Sequence, residues 1–558
     1  MERSAPEPTA GAGEVARERS SMRGALTLMV GTFASRITGL LRNSILTQFF
    51  PPGVSDAFLT AFRVPNLFRE LLAEGALTNS FVPVYTRLRG EERRRLTGSL
   101  LGLLALVNGL LMLLAYLLAP LLARLLIGDP TIVDVELTAR LIRIVFPFLP
   151  AISFSALAMG ILNAEERFLA PAWAPVMLNL VTVTLMALFP GHAVMLTLAH
   201  VLGGLGQLLV QLPALARFGL SPRFRMSWHP ALAGVLLLML PFAFTTSGRQ
   251  LLNVLASNLV TGLFTGAQNA FVNADLFLSL MLGLFSISPA LSYYSRLSAQ
   301  AAERSEAFAP TLLEGLRFIA FLTVPAGLGL VLLAGPAVAA AFNWRSLVGD
   351  PLDPARLYGS ILATAPLGLA VFPIGLFNLL IRTFYIRRHV AIPVLIVLGT
   401  LTVQAALYLS LVGPLGIAGL SWGAVFAAWI QLGVTAALVR RRREVSLRLL
   451  LPGVARMWLA GLLAVAASAA LLALLGGDAG ESLIASATGR ASGMSDGWTM
   501  SANDWLGVGW FGGGWFDSVA TLGVVGAFFC LAYGAISWLL KIPEMRALLA
   551  RVRGGTRA

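Results

Sequence analysis

Long apolar runs, broken by short polar stretches, make up most of the chain, and they have the length of helices rather than strands. Reading each run between its turn and charge signals predicts fourteen segments, at about 24–49, 56–86, 97–127, 136–162, 171–190, 193–216, 232–264, 270–294, 312–342, 357–383, 390–411, 414–439, 453–476 and 518–540. A membrane-crossing helix needs roughly 20 mostly apolar residues, so each run is long enough to span a bilayer. Lipid-facing strands would instead give segments of about ten residues with alternating polarity. The pattern predicts an all-α polytopic membrane protein with fourteen transmembrane helices. Several runs exceed the minimum, which implies tilt, or a kink at Pro147, Pro150, Pro241 or Pro325.

The spacing of the runs has a rhythm. Runs one to six and seven to twelve each alternate short turns with charged loops, and an even number of spans per half keeps both halves in one orientation. That predicts two six-helix lobes in parallel repeat, 23–217 and 218–444, with a cavity between them. The last two runs, within 445–541, form an addition, with a long Gly- and Ser-rich loop at 477–517 on the periplasmic side. Its Trp498, Trp505, Trp510 and Trp515 suit anchoring at the membrane interface. Residues 1–22 are polar, carry Pro6, Pro8, Gly11 and Gly13, and are expected to form a disordered cytoplasmic tail. Residues 542–558 are expected to form a second cytoplasmic tail, and the first run is too long for a cleavable signal peptide.

Composition agrees with a bilayer: 57% of residues are hydrophobic and 12% charged. The net charge of +14 is almost wholly arginine, since Lys541 is the only lysine. These cations sit in alternate short loops: RLRGEERRR after run two, Arg217, Arg223 and Arg225 after run six, Arg387 and Arg388 after run ten, and four arginines at 440–443. The other loops hold only Arg345, Arg356 and Arg490 and carry Asp129, Asp134, Asp350, Asp353, Asp478 and Asp496. By the positive-inside rule both termini are cytoplasmic, and a nucleic-acid partner is not needed to explain the charge. Cys530 stands alone and His192, His200, His229 and His389 are scattered, so neither a metal site nor another cofactor is expected.

Ionisable groups within spans cost several kcal/mol each and are functional candidates for that reason. They gather in runs one and two: Arg36, Arg42, Arg63, Arg69, Glu70 and Glu74, with Asp56 at the turn between them. Arg36 and Arg42 are six residues apart and point about 120° away from each other, so both can face a wide cavity but not a narrow stripe. One arrangement pairs Arg63 or Arg69 with Glu70, Glu74 or Asp56. The other leaves a cationic patch open to water, where arginine would grip phosphate oxygens in bidentate fashion. Too few acids lie nearby to neutralise Arg36, Arg42 and Arg69 together, which favours the second. Gly31, Gly39, Gly262 and Gly266 would permit close helix approach.

The same region resembles the opening of the MurJ/MviN family. SR-x-x-G-x-x-R at 35–42, DAF at 56–58, PNL-x-R at 65–69 and AEGA…FVP at 73–83 occur in the family's order, and ILNAEERFLAPAWAPVMLN at 161–179 is also similar. The resemblance implies the multidrug/oligosaccharidyl-lipid/polysaccharide exporter fold. It implies a flippase, not an enzyme, that moves lipid II, the undecaprenyl-diphosphate-linked peptidoglycan precursor, across the bacterial cytoplasmic membrane by alternating access. Arg36, Arg42 and Arg69 match family cavity arginines, and Asp56 matches a gate aspartate, with Glu74 as a second gating candidate. The last two helices would form a groove for the polyprenyl tail, and cell-wall synthesis proteins are candidate partners. One departure stands out: where the family has an arginine after the aspartate at the start of run eight, Asp275 is followed by Leu276, in a run that looks short. Arg249 is the candidate replacement.

Three alternatives have specific requirements. An exporter of cationic drugs would want a carboxylate in the cavity, whereas an exporter of another polyprenyl-linked oligosaccharide would share the arginines. An enzyme acting on polyprenyl phosphates needs an acidic metal cluster, and the nearest approach, GDPLDP at 349–354, reads as a turn. A homologue that binds the lipid without flipping it remains compatible with Leu276. Runs eleven and twelve hold no carboxylate, which gives a sodium site there little support.

Overall fold

The computed structural model describes residues 10–72, 76–303, 305–387, 391–441, 446–474 and 515–554. Glu74, Trp498, Trp505 and Trp510 lie outside these residues. The described residues are helical almost throughout, and helices occupy every one of the fourteen predicted positions. They are α1 (Ala10–Phe49), α2 (Pro52–Leu72) with α3 (Ala76–Arg87), α4 (Gly90–Leu126), α5 (Val135–Val145) with α6 (Phe148–Ala164), α7 (Leu169–Leu188) and α8 (Ala193–Leu209) with the short α9 (Leu212–Arg217). There follow α10 (Pro230–Thr261), α11 (Ala267–Leu282) with α12 (Ser288–Ala302), α13 (Phe308–Phe342), α14 (Pro354–Ile386), α15 (Ala391–Leu415), α16 (Ile417–Arg441), α17 (Leu451–Leu474) and α18 (Trp515–Leu539). A last helix, α19 (Pro543–Gly554), was not anticipated.

Eleven helical segments are long and apolar enough to cross a membrane by that measure alone. The other three positions, α1, α2–α3 and α10, carry Arg36 and Arg42, Arg63 and Arg69, and Arg249 respectively. A span that lines a polar space does not need to satisfy lipid along its whole length. Fourteen spans are consistent with this arrangement.

The expected tail needs correction. The backbone of residues 10–22 continues α1 rather than forming a disordered tail. After Pro8 this stretch contains no proline and is rich in Ala, Arg and Glu, all good helix formers. The kink predicted near Pro147 is a break between α5 and α6, with Pro147 as the cap residue of α6. In contrast, α13 runs on through Pro325 and Pro336.

Run eight is not short. Helices α11 and α12 join through a π-helical turn at Gly283–Ile287, giving one apolar rod of 36 residues from Ala267 to Ala302. Pro289 falls in the first turn of α12, where a missing amide proton costs nothing. Ser288 satisfies a carbonyl of this wide turn, and Ser286 ties the turn to α14. Ser288 Oγ donates to Gly283 O at 3.3 Å, and Ser286 Oγ donates to Gly375 O at 3.5 Å while accepting from Asn378 Nδ2 at 3.0 Å.

The chain divides into two compact units. The first holds residues 1–125 and 134–250, and the second holds 126–133 and 251–558, so the division falls inside α10. In the first unit α1 packs along α7, α7 on α8, and α2 on α5. The approach of α1 to α7 is close at Gly31, where any Cβ would meet the Ala172 carbonyl oxygen. A core of Leu77, Phe81, Leu96, Leu100, Phe148, Leu157 and Ile161 fills this unit. In the second unit α14 is the central rod, flanked by α11, α13 and α16, and α17 and α18 pack together and on α13. Trp515, expected as an interfacial anchor, opens α18 and donates from Nε1 to Ala340 O at 2.8 Å.

Arg356 also departs from expectation. It is not a solvated loop cation but lies in the first turn of α14 with 1% of its surface exposed. Its aliphatic stem packs against Gly266, whose φ of +103° admits a glycine readily and a larger residue only with strain. The GDPLDP stretch is a turn as expected. Gly349 is left-handed, Asp350 pairs with Arg345 at 2.5 Å, and Asp353 caps α14 by accepting from the Arg356 amide at 3.0 Å.

Candidate functional site

The candidate arginines of runs one and two all belong to the first unit, on α1 and α2. Arg42 is the most constrained of them. Its Nη1 donates to Asn179 Oδ1 at 3.1 Å, reaching across 137 residues of chain to α7. Asn179 is 5% exposed, and its Nδ2 donates to Ser35 O and to Thr38 Oγ1, both at 3.1 Å. One amide therefore bonds two successive turns of α1 and the guanidinium that follows them. A second nitrogen of Arg42 reaches Asn43 Oδ1 at 3.5 Å. All of these partners are neutral, so Arg42 is held in place and its charge is left intact.

Two further cations share the setting. Arg69, in the last turn of α2, donates from Nε to Asn66 Oδ1 at 2.8 Å, again a neutral acceptor. It stands within electrostatic range of Arg42. Arg36, two turns before Arg42, is half-buried. Among the described residues no carboxylate forms an ion pair with Arg36 or Arg42. Glu74 lies outside the described residues, and the side chain of Glu70 is not described either.

Behind Arg42 the wall is aromatic. His200 on α8 is 3% exposed, and its Nδ1 lies 3.0 Å from Leu196 O. Its ring stacks 4.5 Å from Phe58 and 5.4 Å from Phe62 on α2, and Phe62 lies 5.0 Å from Phe148. Asp56 is fully buried at the opposite end of α2 from Arg69. Arg249, on α10, is exposed. Asp275 is exposed on α11 and sits eight residues into that helix rather than at its start.

The two quoted motif stretches meet at a third place. Glu165, in ILNAEERF, accepts from Arg93 Nη1 at 2.6 Å and from the Tyr85 hydroxyl at 3.0 Å, and Arg93 lies 4.8 Å over the Tyr85 ring. Arg93 Nε also donates to Leu88 O at 2.6 Å. The charged loop after α3 is thereby fastened to the end of α6.

Sequence reasoning found the arginines but missed Asn179 and His200 as their neighbours. Asn179 does end the quoted ILNAEERFLAPAWAPVMLN stretch, but nothing local tells which helix it will face. It also missed three cations near one end of the first unit: Arg124 on α4, and Arg140 and Arg143 on α5. They were passed over because each sits towards the end of its run, where a cation is ordinary.

A many-helix bundle whose span arginines are braced by neutral amides is the architecture of a membrane transporter that handles an anionic cargo. The known proteins place it more narrowly. A family model described as lipid II flippase MurJ matches residues 45–477. The lipid II flippase MurJ of Burkholderia cenocepacia is 30% identical over 440 residues, covering 75% of this chain and 81% of that protein. The probable lipid II flippase MurJ of Bdellovibrio bacteriovorus is 31% identical over 435 residues, covering 75% and 82%. A solved structure of lipid II flippase MurJ in an inward closed conformation shares the fold with a TM-score of 0.71 at 18% identity, covering 92% of this chain and 99% of that one. An inward-facing multidrug resistance MATE family transporter of the MOP superfamily shares it less closely, with a TM-score of 0.61 at 17% identity over 75% of this chain and 99% of that one. The chain belongs to the MurJ family of lipid II flippases.

Proposed function

We infer that this protein carries lipid II from the inner to the outer leaflet of the bacterial cytoplasmic membrane by alternating access. The observation that carries the reading is the family match over residues 45–477, which takes in Arg69 and the Asn179 that braces Arg42. In this reading Arg36, Arg42, Arg69 and Arg249 grip the diphosphate-sugar headgroup while the polyprenyl tail stays in the bilayer. Arg249 supplies the cation that Leu276 does not. Asp56 and Glu74 act as gating carboxylates. The two lobes, 23–217 and 218–444, rock about a central cavity, and 445–541 serves the tail. Both termini face the cytoplasm, as the sorting of loop cations requires.

The chemistry follows from the site. Arg42 is pre-positioned by a neutral amide, so little is lost in ordering it when a phosphate arrives. Arg42 and Arg69 repel one another until an anion lies between them, and a bound diphosphate therefore favours the closed arrangement over the open one. Such a ligand shifts the equilibrium only by its differential affinity for the two. Each charge that moves through the field adds about 2.3 kcal/mol per 100 mV. The test is rescue of growth in bacteria depleted of their own lipid II flippase, with Arg36→Ala, Arg42→Ala and Arg69→Ala variants at matched expression. Rescue by the parent alone supports this reading. Failure of a well-expressed parent points to another lipid-linked cargo or to a homologue that only binds, and rescue by all three variants makes the arginines structural.

A further inference from the structure

A second cluster of cations lies in the first unit, away from Arg36, Arg42 and Arg69. Between the last turns of α4 and the start of α5 is a cleft of about 640 Å³, lined by Arg124, Arg140 and Arg143 together with Asp134, Glu136 and apolar residues that include Pro120 and Leu137. Arg140 and Arg143 are three apart on α5 and so share a face. Arg124 comes from the facing helix, in its last turn.

The acids do not cancel this charge. Asp134 is the cap of α5, with one carboxylate oxygen accepting from the Glu136 and Leu137 amides at 2.8 and 3.0 Å. Among the described residues, no carboxylate pairs with any of the three arginines. Three cations against Asp134 and Glu136 leave the lining one charge positive, with the Asp134 carboxylate already committed to its own helix.

Depth makes the cluster telling. At 1.5 Å per residue, Arg124 lies about 3 Å from the end of α4, while Arg140 and Arg143 lie about 7 and 12 Å into α5 from its start. Arg143 is held there: its Nε donates to Tyr116 O at 3.2 Å, and its guanidinium lies 5.2 Å from the centre of the Tyr116 ring. The same stretch of α4 exposes Leu113, Leu117, Leu121 and Leu125, the surface of a helix in contact with hydrocarbon. A guanidinium at that depth needs water or an anion beside it. A row of three, running from the helix ends inward and backed by apolar side chains, matches a phosphate group carried on a lipid.

We propose that the α4–α5 cleft binds the phosphate-bearing headgroup of a lipid in the leaflet at that end of the first unit. This rests on the proposed function only for its direction, which makes that leaflet the outer one. The cleft is then a receiving station for a headgroup leaving the protein, or the seat of an anionic phospholipid. Both sources offer the same chemistry, phosphate oxygens above an acyl or prenyl chain, and arginine meets these in bidentate fashion.

The test uses the full chain in nanodiscs of phosphatidylcholine containing phosphatidylglycerol, with lipids that stay bound after transfer to detergent counted by native mass spectrometry, with and without undecaprenyl diphosphate. The parent is compared with the double variant Arg140→Gln/Arg143→Gln and with Arg124→Gln, which changes the other helix alone and guards against a folding defect in α5. Retention of a phosphate-bearing lipid falls about tenfold or more in each, as expected for losing charge-assisted contacts. Displacement of phosphatidylglycerol by undecaprenyl diphosphate assigns the cleft to departing cargo, and retention of phosphatidylglycerol alone assigns it to the bilayer. Equal retention by parent and both variants overturns the proposal. Failure of the parent to rescue growth would count against the proposed function while leaving this binding result standing.

Discussion

Asn179 offers a way to separate the position of Arg42 from its charge. Replacing it with alanine removes the acceptor for Arg42 and the two donations to Ser35 O and Thr38 Oγ1. A hydrogen bond to a charged group contributes about 1.5–3 kcal/mol and a neutral one about 1 kcal/mol, so Asn179→Ala costs on the order of 3–5 kcal/mol. Replacing it with aspartate acts differently. The acceptor for Arg42 remains and gains a negative charge, while the two donations are lost at about 1 kcal/mol each. The new ion pair offsets part of that, and Asn179→Asp should unfold within about 2 kcal/mol of the parent. Its effect on transport is the larger one, because Arg42 would now be neutralised from behind. Losing one charge-assisted contact to phosphate, at about 1.5–3 kcal/mol, lowers affinity roughly ten- to a hundredfold. Thermal unfolding of the purified protein in detergent, beside growth rescue at matched expression, reads both quantities. An aspartate variant that is stable and fails to rescue supports the reasoning. Full rescue by that variant would refute it, since Arg42 would then work without its free charge.

Other perturbations test separate parts of the argument. Gly31→Val should disrupt the packing of α1 on α7, because the added carbons would meet the Ala172 carbonyl; a fall in thermal stability of at least about 2 kcal/mol is expected. Gly266→Ala combines a left-handed φ with contact on the Arg356 stem, and should cost about 1–2 kcal/mol in the same assay. Glu165→Gln breaks an ion pair whose partners are both about 29% exposed, so the loss should stay near 1 kcal/mol and rescue should persist. Arg249→Ala should impair rescue at matched expression if that residue supplies the cation missing at Leu276, and unchanged rescue would remove it from the site.

The membrane class and the helix positions were legible because the bilayer imposes them on every residue of a span. The arginines of α1 and α2 were legible for the converse reason, since a charge within an apolar run is conspicuous. Asn179 was not, because an asparagine is unremarkable in sequence and its partner is 137 residues away. Arg356 was misjudged because it follows a loop with acids, and only the packing of Gly266 against its stem shows that the chain closes over it. Arg124, Arg140 and Arg143 were absorbed into runs whose ends sequence places only to within a few residues. Their meeting depends on the turn between α4 and α5, which no local pattern specifies.

The π turn at Gly283–Ile287 has a bearing on how this chain can vary. A π turn holds one residue more than the α-helical path around it, so that residue could be lost without moving what lies beyond. Deleting a single residue there restores an ordinary helical ladder and leaves α12 in nearly the same rotational phase relative to α11. Tyr293, Tyr294 and Arg296 would keep the neighbours they now meet. A deletion further along α12 turns everything beyond it by about 100°, whereas the π turn can absorb one.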